Sequence, residues 1–342
     1  MTIDRAAPAS PFPHVCVVIP LYKGRDQIAQ VLRGLPELVR TIVVVDDCSP
    51  DDSCERAEAV GDPRTHVVRH STNQGVGGAM LSRYQRAVQM GAEIIVKMDS
   101  DGQMDPAYLP PLIAPILARE ADYTKGNRFL HGRELNTMPS VRQIGNVGLS
   151  FITKLASGYW NVFDPTNGYT AIHASVVTMI DRTAIDRRYL FETSMLLELG
   201  HLRAVVQDVS IPARYGTETS NLSEWRALSE FPPRLLAAFA RRIRIHYFVR
   251  DFSLVSLYLL NGLALAGLGA LFGAYHWWWS LRLQTPATTG TVMLAVLPII
   301  LGVQLLLQAV ALDVQNVPSR VLQRRTDHVW RANEARLAAE EG

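Results

Sequence analysis

"EIIVKMDSDGQMDP", Glu93 to Pro106, runs from an apolar strand straight into carboxylates: Asp99, Asp101 and Asp105 fall within seven residues. Its first half belongs to a series of buried runs. "HVCVVIPLY" from His14, "TIVVVDD" from Thr41 and "THVVRH" from Thr65 precede it, all rich in β-branched residues. Segments of helical spacing lie between them; in "IAQVLRGL", Ile28, Val31, Leu32 and Leu35 share one face. Continuous apolar strands alternating with helices predict an α/β domain built on a doubly wound, mostly parallel sheet covered on both faces. "PAYLPPLIAPILARE" is expected to be an interrupted helix, because Pro110, Pro111 and Pro115 disfavour a regular one.

In an open parallel sheet, ligands bind outside the carboxyl ends of the strands. Polar residues collect at each of those ends here. The first carries Pro20, Tyr22 and Gly24, the second Asp46, Asp47, Ser49 and Asp51, and the third Asn73, Gly75 and Gly77. Turn and cap chemistry accounts for Asp51, Asp52 and Ser53. "GVGGAM" follows the third strand, whereas a dinucleotide fingerprint follows the first, so a nicotinamide cofactor is not expected. Asp99-Ser100-Asp101 says more. Residues i and i+2 of a strand point the same way, and two carboxylates suit a hard divalent cation, Mg²⁺ or Mn²⁺, whose shell is completed by water and phosphate oxygens. An ion-free turn pair is the alternative for an isolated D-x-D. Asp105, just before Pro106, reads either as a base or as a helix cap.

The 342 residues allow one large domain or two smaller ones, and a net charge of +2 makes no case for nucleic acid. Cys16, Cys48 and Cys54 lack C-x-x-C spacing, which argues against a disulfide framework or a zinc site. Residues 1–13 have no apolar signal core and read as a disordered tail. The apolar excess lies at the other end. Residues 221–251 mix aromatic and aliphatic residues with Arg234, Arg241, Arg242, Arg244 and Arg250, the pattern of amphipathic juxtamembrane helices. Residues 252–275 and 288–312 are then two transmembrane helices; the first is long enough, at roughly 36 Å, to cross the hydrocarbon. Pro298 is tolerable inside the second. Trp277, Trp278 and Trp279, in the intervening loop, suit an interfacial belt. Arginine-rich outer flanks orient the hairpin with both ends cytoplasmic, and residues 314–342 form a cytoplasmic tail. A pair of buried helices in a soluble bundle is the competing reading.

"VVIPLYK", "VVVDDCSPDD", "NQGVGGAM", "KMDSDGQMDP", "GNRF" and "DPTNGYTAIH" occur in an order and spacing that resemble family 2 glycosyltransferases of GT-A fold. Within that family the chain is similar to the polyprenyl-phosphate glycosyltransferases, of which dolichol-phosphate mannosyltransferase is the familiar example. The resemblance spans about residues 14–216, within an expected GT-A catalytic domain of residues 14–220. It implies that Pro20, Tyr22, Asp46, Asp47, Asn73, Gly75 and Ser100 line a nucleotide-sugar site, with Arg214 closing over the diphosphate. It assigns Asp99, Asp101 and Gln103 to the metal and diphosphate, and Arg128, Arg142 and Asn146 to an acceptor phosphate. The family's S-K-L stands here as Ser220-Asn221-Leu222, without its lysine.

The chemistry so implied is inverting sugar transfer to a membrane polyprenyl phosphate. A phosphomonoester is already anionic, so the main task is to hold it beside another anion, which Arg128 and Arg142 suit. Asp99 and Asp101 with their metal stabilise the leaving diphosphate. The implied protein is multi-pass, its catalytic domain and termini cytoplasmic, in a bacterial inner membrane, and open to forming a homo-oligomer. Three rivals compete with it. A processive polysaccharide synthase would carry Q-x-x-R-W, which is absent. A transferase acting on another lipid hydroxyl would need a general base. A non-catalytic membrane scaffold would not need an intact D-S-D-G-Q.

Overall fold

The computed structural model describes residues 13–73, 75–128, 140–186, 190–212 and 224–324; the side chains of 76, 78, 79, 140–146 and 224–230 stand outside that description. The chain divides into two compact units, residues up to Pro233 together with Pro318 onward, and Arg234–Val317.

In the first unit the expected strands form: β1 (Val15–Leu21), β2 (Val39–Asp46), β3 (Thr65–Arg69) and β4 (Ile94–Lys97). β5 (Tyr123–Asn127), β6 (Thr170–His173) and β7 (Val206–Ser210) complete a seven-stranded sheet of order β3-β2-β1-β4-β6-β5-β7. β1 pairs in parallel with β2 and β4, whereas β6 runs antiparallel between β4 and β5. Alternation along the strands separates two faces. On one, Val17, Ile19, Val44 and Val96 pack with Ile28 and Leu32 of α1 (Ile28–Gly34) and Leu112 and Ile113 of α4 (Leu109–Leu117). The other face is more polar. It receives α3 (Gly75–Gln89), whose Arg83 and Tyr84 are fully buried, and it contains the buried Lys97.

Some expectations shift. α4 is continuous: Pro110 and Pro111 occupy its first positions, where a backbone N–H has no helical partner, and Pro115 lies within it. α2 (Ser53–Ala59) is short, α5 (Ser140–Ser157) ends before Tyr159, and α6 (Ala174–Val177) is a single turn. β6 and α7 (Phe191–Leu202) were not foreseen; β6 has only four residues, too few for a periodic signature. The three cysteines are free, Cys16 and Cys54 buried and Cys48 exposed. Burial pushes the Cys16 thiol up to about 12.

The segment after the second apolar helix returns to this first unit. Leu322 and Gln323 donate backbone N–H bonds to the carboxylate of Asp122, at 2.9 and 3.0 Å, and Asp122 also accepts from Val205 N at 2.8 Å. The Gln323 side-chain amide donates to the carbonyls of Ile116 and Ala121.

α8 (Glu224–Arg244) leads into a π-helical turn, Ile245–Arg250. In the second unit, α9 (Leu254–Leu283) and α10 (Thr289–Gln315) are each long and apolar enough to cross a membrane. α9 extends well past residue 275, so Trp277, Trp278 and Trp279 lie in its last turns rather than in a loop. Pro298 sits inside α10 without ending it. The two helices meet through small residues: a Cβ on Gly302 would lie 2.7 Å from the Gly262 carbonyl oxygen. Arg242, counted among the interfacial cations, is instead buried and gives two hydrogen bonds to Asp313, at 2.8 and 2.9 Å. A buried arginine is tolerable there because the carboxylate matches its planar fork.

Candidate active site

The acidic end of the opening stretch folds differently from an extended strand. β4 stops at Lys97, and residues 100–102 form a turn in which Gly102 has φ +73°. The strand period therefore does not govern Asp99 and Asp101. They are brought together by the turn, where Asp101 accepts the backbone N–H of Gln103 at 2.9 Å. Both carboxylates, with Gln103, Arg128, Thr166 and Gly168, line one cleft of about 190 Å³. Asp105 sits as a cap: its side chain accepts from Ala107 N at 3.0 Å, at the start of a 3₁₀ turn over Pro106–Tyr108.

The other strand ends gather on the same edge of the sheet. Tyr22 is exposed, and a Cβ on Gly24 would stand 3.1 Å from the Ser100 hydroxyl, so the β1 and β4 loops abut. Asp46 and Asp47 are buried. Asp46 accepts from Ser49 N at 3.2 Å; Asp47 pairs with His70 at 3.0 Å and accepts from Gly75 N at 2.9 Å. Asn73 also accepts from Gly75 N. Gly75 opens α3 with φ +75°, a left-handed conformation that glycine adopts without steric cost. Behind these carboxylates, Arg83 donates to the Val45 carbonyl at 2.9 Å; burial pulls its pKa down to about 9, against the opposing pull of Asp47 and Asp99.

Arg128 is a held group. Its Nε donates to Asp164 Oδ2 at 2.8 Å and its Nη2 to Oδ1 at 3.1 Å. Asp164 is 1 % exposed and Arg128 about a third exposed, so the guanidinium is anchored from the dry side and reaches the cleft. Burial alone would raise the Asp164 pKa, but the hydrogen bonds and charge of Arg128 outweigh it and hold the carboxyl below its usual value. Asp164 lies in "DPTNGYTAIH", yet no role for it was expected. Lys97 and Glu192 were also missed. Lys97 Nζ lies 2.8 Å from Asp99 Oδ1 and 3.2 Å from Glu192 Oε1. Burial would depress this lysine, but the two carboxylates reverse the effect and raise its pKa. Its signal was a lone charge inside an otherwise apolar strand. Arg142 and Asn146 fall one turn apart in α5, with side chains outside the described set; Arg214 lies outside the described residues altogether.

Asp99, Asp101 and the Gln103 amide form an oxygen-rich donor set suited to a hard cation. Among the described residues no three His, Cys, Asp or Glu side chains gather around one point. Two carboxylates without a closed cage match Mg²⁺ or Mn²⁺, which keep positions for water and phosphate. Val147 and Phe151 of α5 are exposed; Phe151 meets Trp160 edge to face, and Phe163 stands exposed beside Lys154.

The family model described as Glycosyl transferase family 2 matches residues 16–179. The chain is 30 % identical over 190 residues to UDP-N-acetylglucosamine–dolichyl-phosphate N-acetylglucosaminyltransferase of Methanococcus voltae, covering 51 % of this chain and 75 % of the relative. It is 31 % identical over 202 residues to undecaprenyl-phosphate mannosyltransferase of Micrococcus luteus, covering 58 % of this chain and 82 % of that one. Among solved structures, glucosyl-3-phosphoglycerate synthase of Mycobacterium tuberculosis in complex with uridine diphosphate shares the fold, with a TM-score of 0.52 and 20 % identity over 67 % of this chain and 80 % of the other. Another structure of that synthase holds Mn²⁺, uridine diphosphate and glucosyl-3-phosphoglycerate.

Proposed function

Since the chain belongs to glycosyl transferase family 2, we propose that it moves a sugar from a nucleoside-diphosphate donor to a polyprenyl phosphate in a membrane, with inversion at the anomeric carbon. The observation that carries the proposal is the single cleft lined by Asp99, Asp101, Gln103 and Arg128 at the carboxyl edge of the sheet. The names of both relatives specify polyprenyl-phosphate acceptors, and α9 and α10 provide helices of membrane-spanning length.

In this reading Pro20, Tyr22, Asp46, Asp47, Asn73, Gly75 and Ser100 hold the nucleotide, and Arg214 covers the diphosphate. Asp99, Asp101 and Gln103 would hold Mg²⁺ or Mn²⁺, which when bound supplies positive charge to the leaving diphosphate. Arg128, aimed by Asp164, meets the acceptor phosphate together with Arg142 and Asn146 on α5. Two guanidinium groups pair bidentately with a phosphate and offset the repulsion between acceptor and donor anions. The acceptor phosphate carries between one and two negative charges at neutral pH, so no side chain has to remove a proton from it. That agrees with Asp105 acting as a cap. The two spans form a hairpin with both ends cytoplasmic, and α8 lies at the interface where the lipid phosphate sits.

The test presents the full-length protein in nanodiscs with a panel of labelled sugar nucleotides and short polyprenyl phosphates, with and without Mn²⁺ or Mg²⁺. The expected product is a polyprenyl phosphosugar, absent from the Asp99→Ala variant. Transfer to a lipid hydroxyl and never to a lipid phosphate would overturn the proposal.

A further inference from the structure

Lys97 is an unusual residue for its place. It lies in the central strand of the sheet, flanked by Val96 and Met98, and is 1 % exposed. Its ammonium has three acceptors for three protons: Asp99 Oδ1 at 2.8 Å, Glu192 Oε1 at 3.2 Å and the Gly168 carbonyl at 3.3 Å. The arrangement is one-sided. Lys97 is dry, whereas the Asp99 side chain is 32 % exposed and lines the cleft. Glu192, in the first turn of α7, belongs to no part of the mechanism above. Gly168 closes the space over the pair: a Cβ there would stand 2.6 Å from Lys97 Nζ and 2.9 Å from Asp99 Oδ2. If the site needed only filled volume, apolar side chains would serve at lower desolvation cost than a buried ion pair.

We propose that Lys97, anchored by Glu192, is a positioning residue for the metal-binding carboxylate: it occupies Asp99 Oδ1 and so turns Oδ2 toward the cation and donor diphosphate. The proposal rests on the reading of Asp99 as a ligand of a divalent ion. Hydrogen bonds to a ligating carboxylate fix its orientation, and removing such a partner typically costs about 10- to 100-fold in metal affinity.

The experiment measures Mn²⁺ binding to the full-length protein in nanodiscs by the loss of the free-ion EPR signal, without donor. It also measures KM separately for donor and acceptor. The variants are Lys97→Met and the double variant Lys97→Met/Glu192→Leu. The double variant removes the buried ammonium together with the half-buried Glu192 carboxylate, which avoids stranding that charge, so it carries the test even if the single variant misfolds. The expected result for the double variant is a thermal midpoint near the native one, an Mn²⁺ Kd raised about 10- to 100-fold, a raised donor KM and an unchanged acceptor KM. A double variant that binds Mn²⁺ and donor as the native protein does would overturn the inference and leave the function standing. A native protein that binds no Mn²⁺ would overturn the metal reading and this inference with it. A rise in both KM values with native Mn²⁺ affinity would reduce Lys97 to a structural role and also overturn the proposal.

Discussion

Replacing Asp122 with Ala should release the segment after the second apolar helix while leaving the sheet folded. Asp122 is fully buried and accepts three backbone N–H groups, from Val205, Leu322 and Gln323. A buried donor left without a partner costs about 1–3 kcal/mol, so keeping the segment docked against the substituted alanine methyl would cost about 3–9 kcal/mol. Opposing release is the burial of Val321 and Leu322, 7 % and 6 % exposed. Full burial of such side chains contributes about 1.5–3 kcal/mol each. The Gln323 amide bonds to Ile116 and Ala121 add to that side. The terms are comparable, and undocking rehydrates two of the three orphaned donors, so the segment is the part that gives way. The sheet then retains one orphan, Val205 N, at about 1–3 kcal/mol. Hydrogen exchange with mass spectrometry on nanodisc protein reads both quantities. A loss of about 3 kcal/mol lowers amide protection at Leu322 and Gln323 by about 100-fold. Protection in β1 and β4 should fall far less. Native protection at 322–323 in the variant would contradict this role of Asp122, as would equal loss across the sheet.

Asp164→Asn should free Arg128 from its two-point hold and raise the acceptor KM about tenfold or more, given about 1.5–3 kcal/mol for a charged hydrogen bond, with donor KM unchanged in steady-state kinetics. The Asp164 carboxyl is depressed in the folded protein, so its stabilisation is complete above the unfolded value of 3.8 and is lost as pH falls through the lower folded one; melting curves of the Asn variant should show a shallower acid limb. Burial pulls the Lys125 pKa down to about 8 from 10.5. The unfolded chain then binds more protons between those values, so Lys125 contributes stability that rises with pH across that window; melts of Lys125→Met should lose that slope. Gly302→Leu would place side-chain atoms where a Cβ already meets Ala266 N at 2.5 Å; cysteine cross-linking between α9 and α10 should fail if the helices separate, and undiminished cross-linking would contradict this packing.

The glycosyltransferase features most legible in the sequence were local ones. Buried strands announced themselves because a strand covered on both faces needs apolar residues at every position, as "VCVVIPL" shows. The acidic stretch pointed to a functional edge because turn chemistry explains single aspartates but not their recurrence at several strand ends. β6 escaped notice, being four residues long and antiparallel in an otherwise parallel run. Strand alternation does not explain how the D-x-D carboxylates meet: a glycine turn brings them to one cleft. Arg242 shows the reverse error. Its amphipathic context looked interfacial, and its partner Asp313 lies 71 residues away, beyond the reach of any periodic pattern.

The sequence alone determined what local chemistry dictates: the strand and helix series, the acidic carboxyl edge of the sheet, the two long apolar helices and the resemblance carried by contiguous motifs. Hydropathy, turn preference and periodicity act over a few residues, so they are written in contiguous letters. The tertiary structure decided the pairings. Asp164 under Arg128, Glu192 behind Lys97, and Asp122 against Leu322 join residues 36, 95 and 200 positions apart. Each is a buried charge or donor whose desolvation is tolerable only with its partner in place. Folding brings those partners together, and no property of either residue's neighbours in the chain names the other.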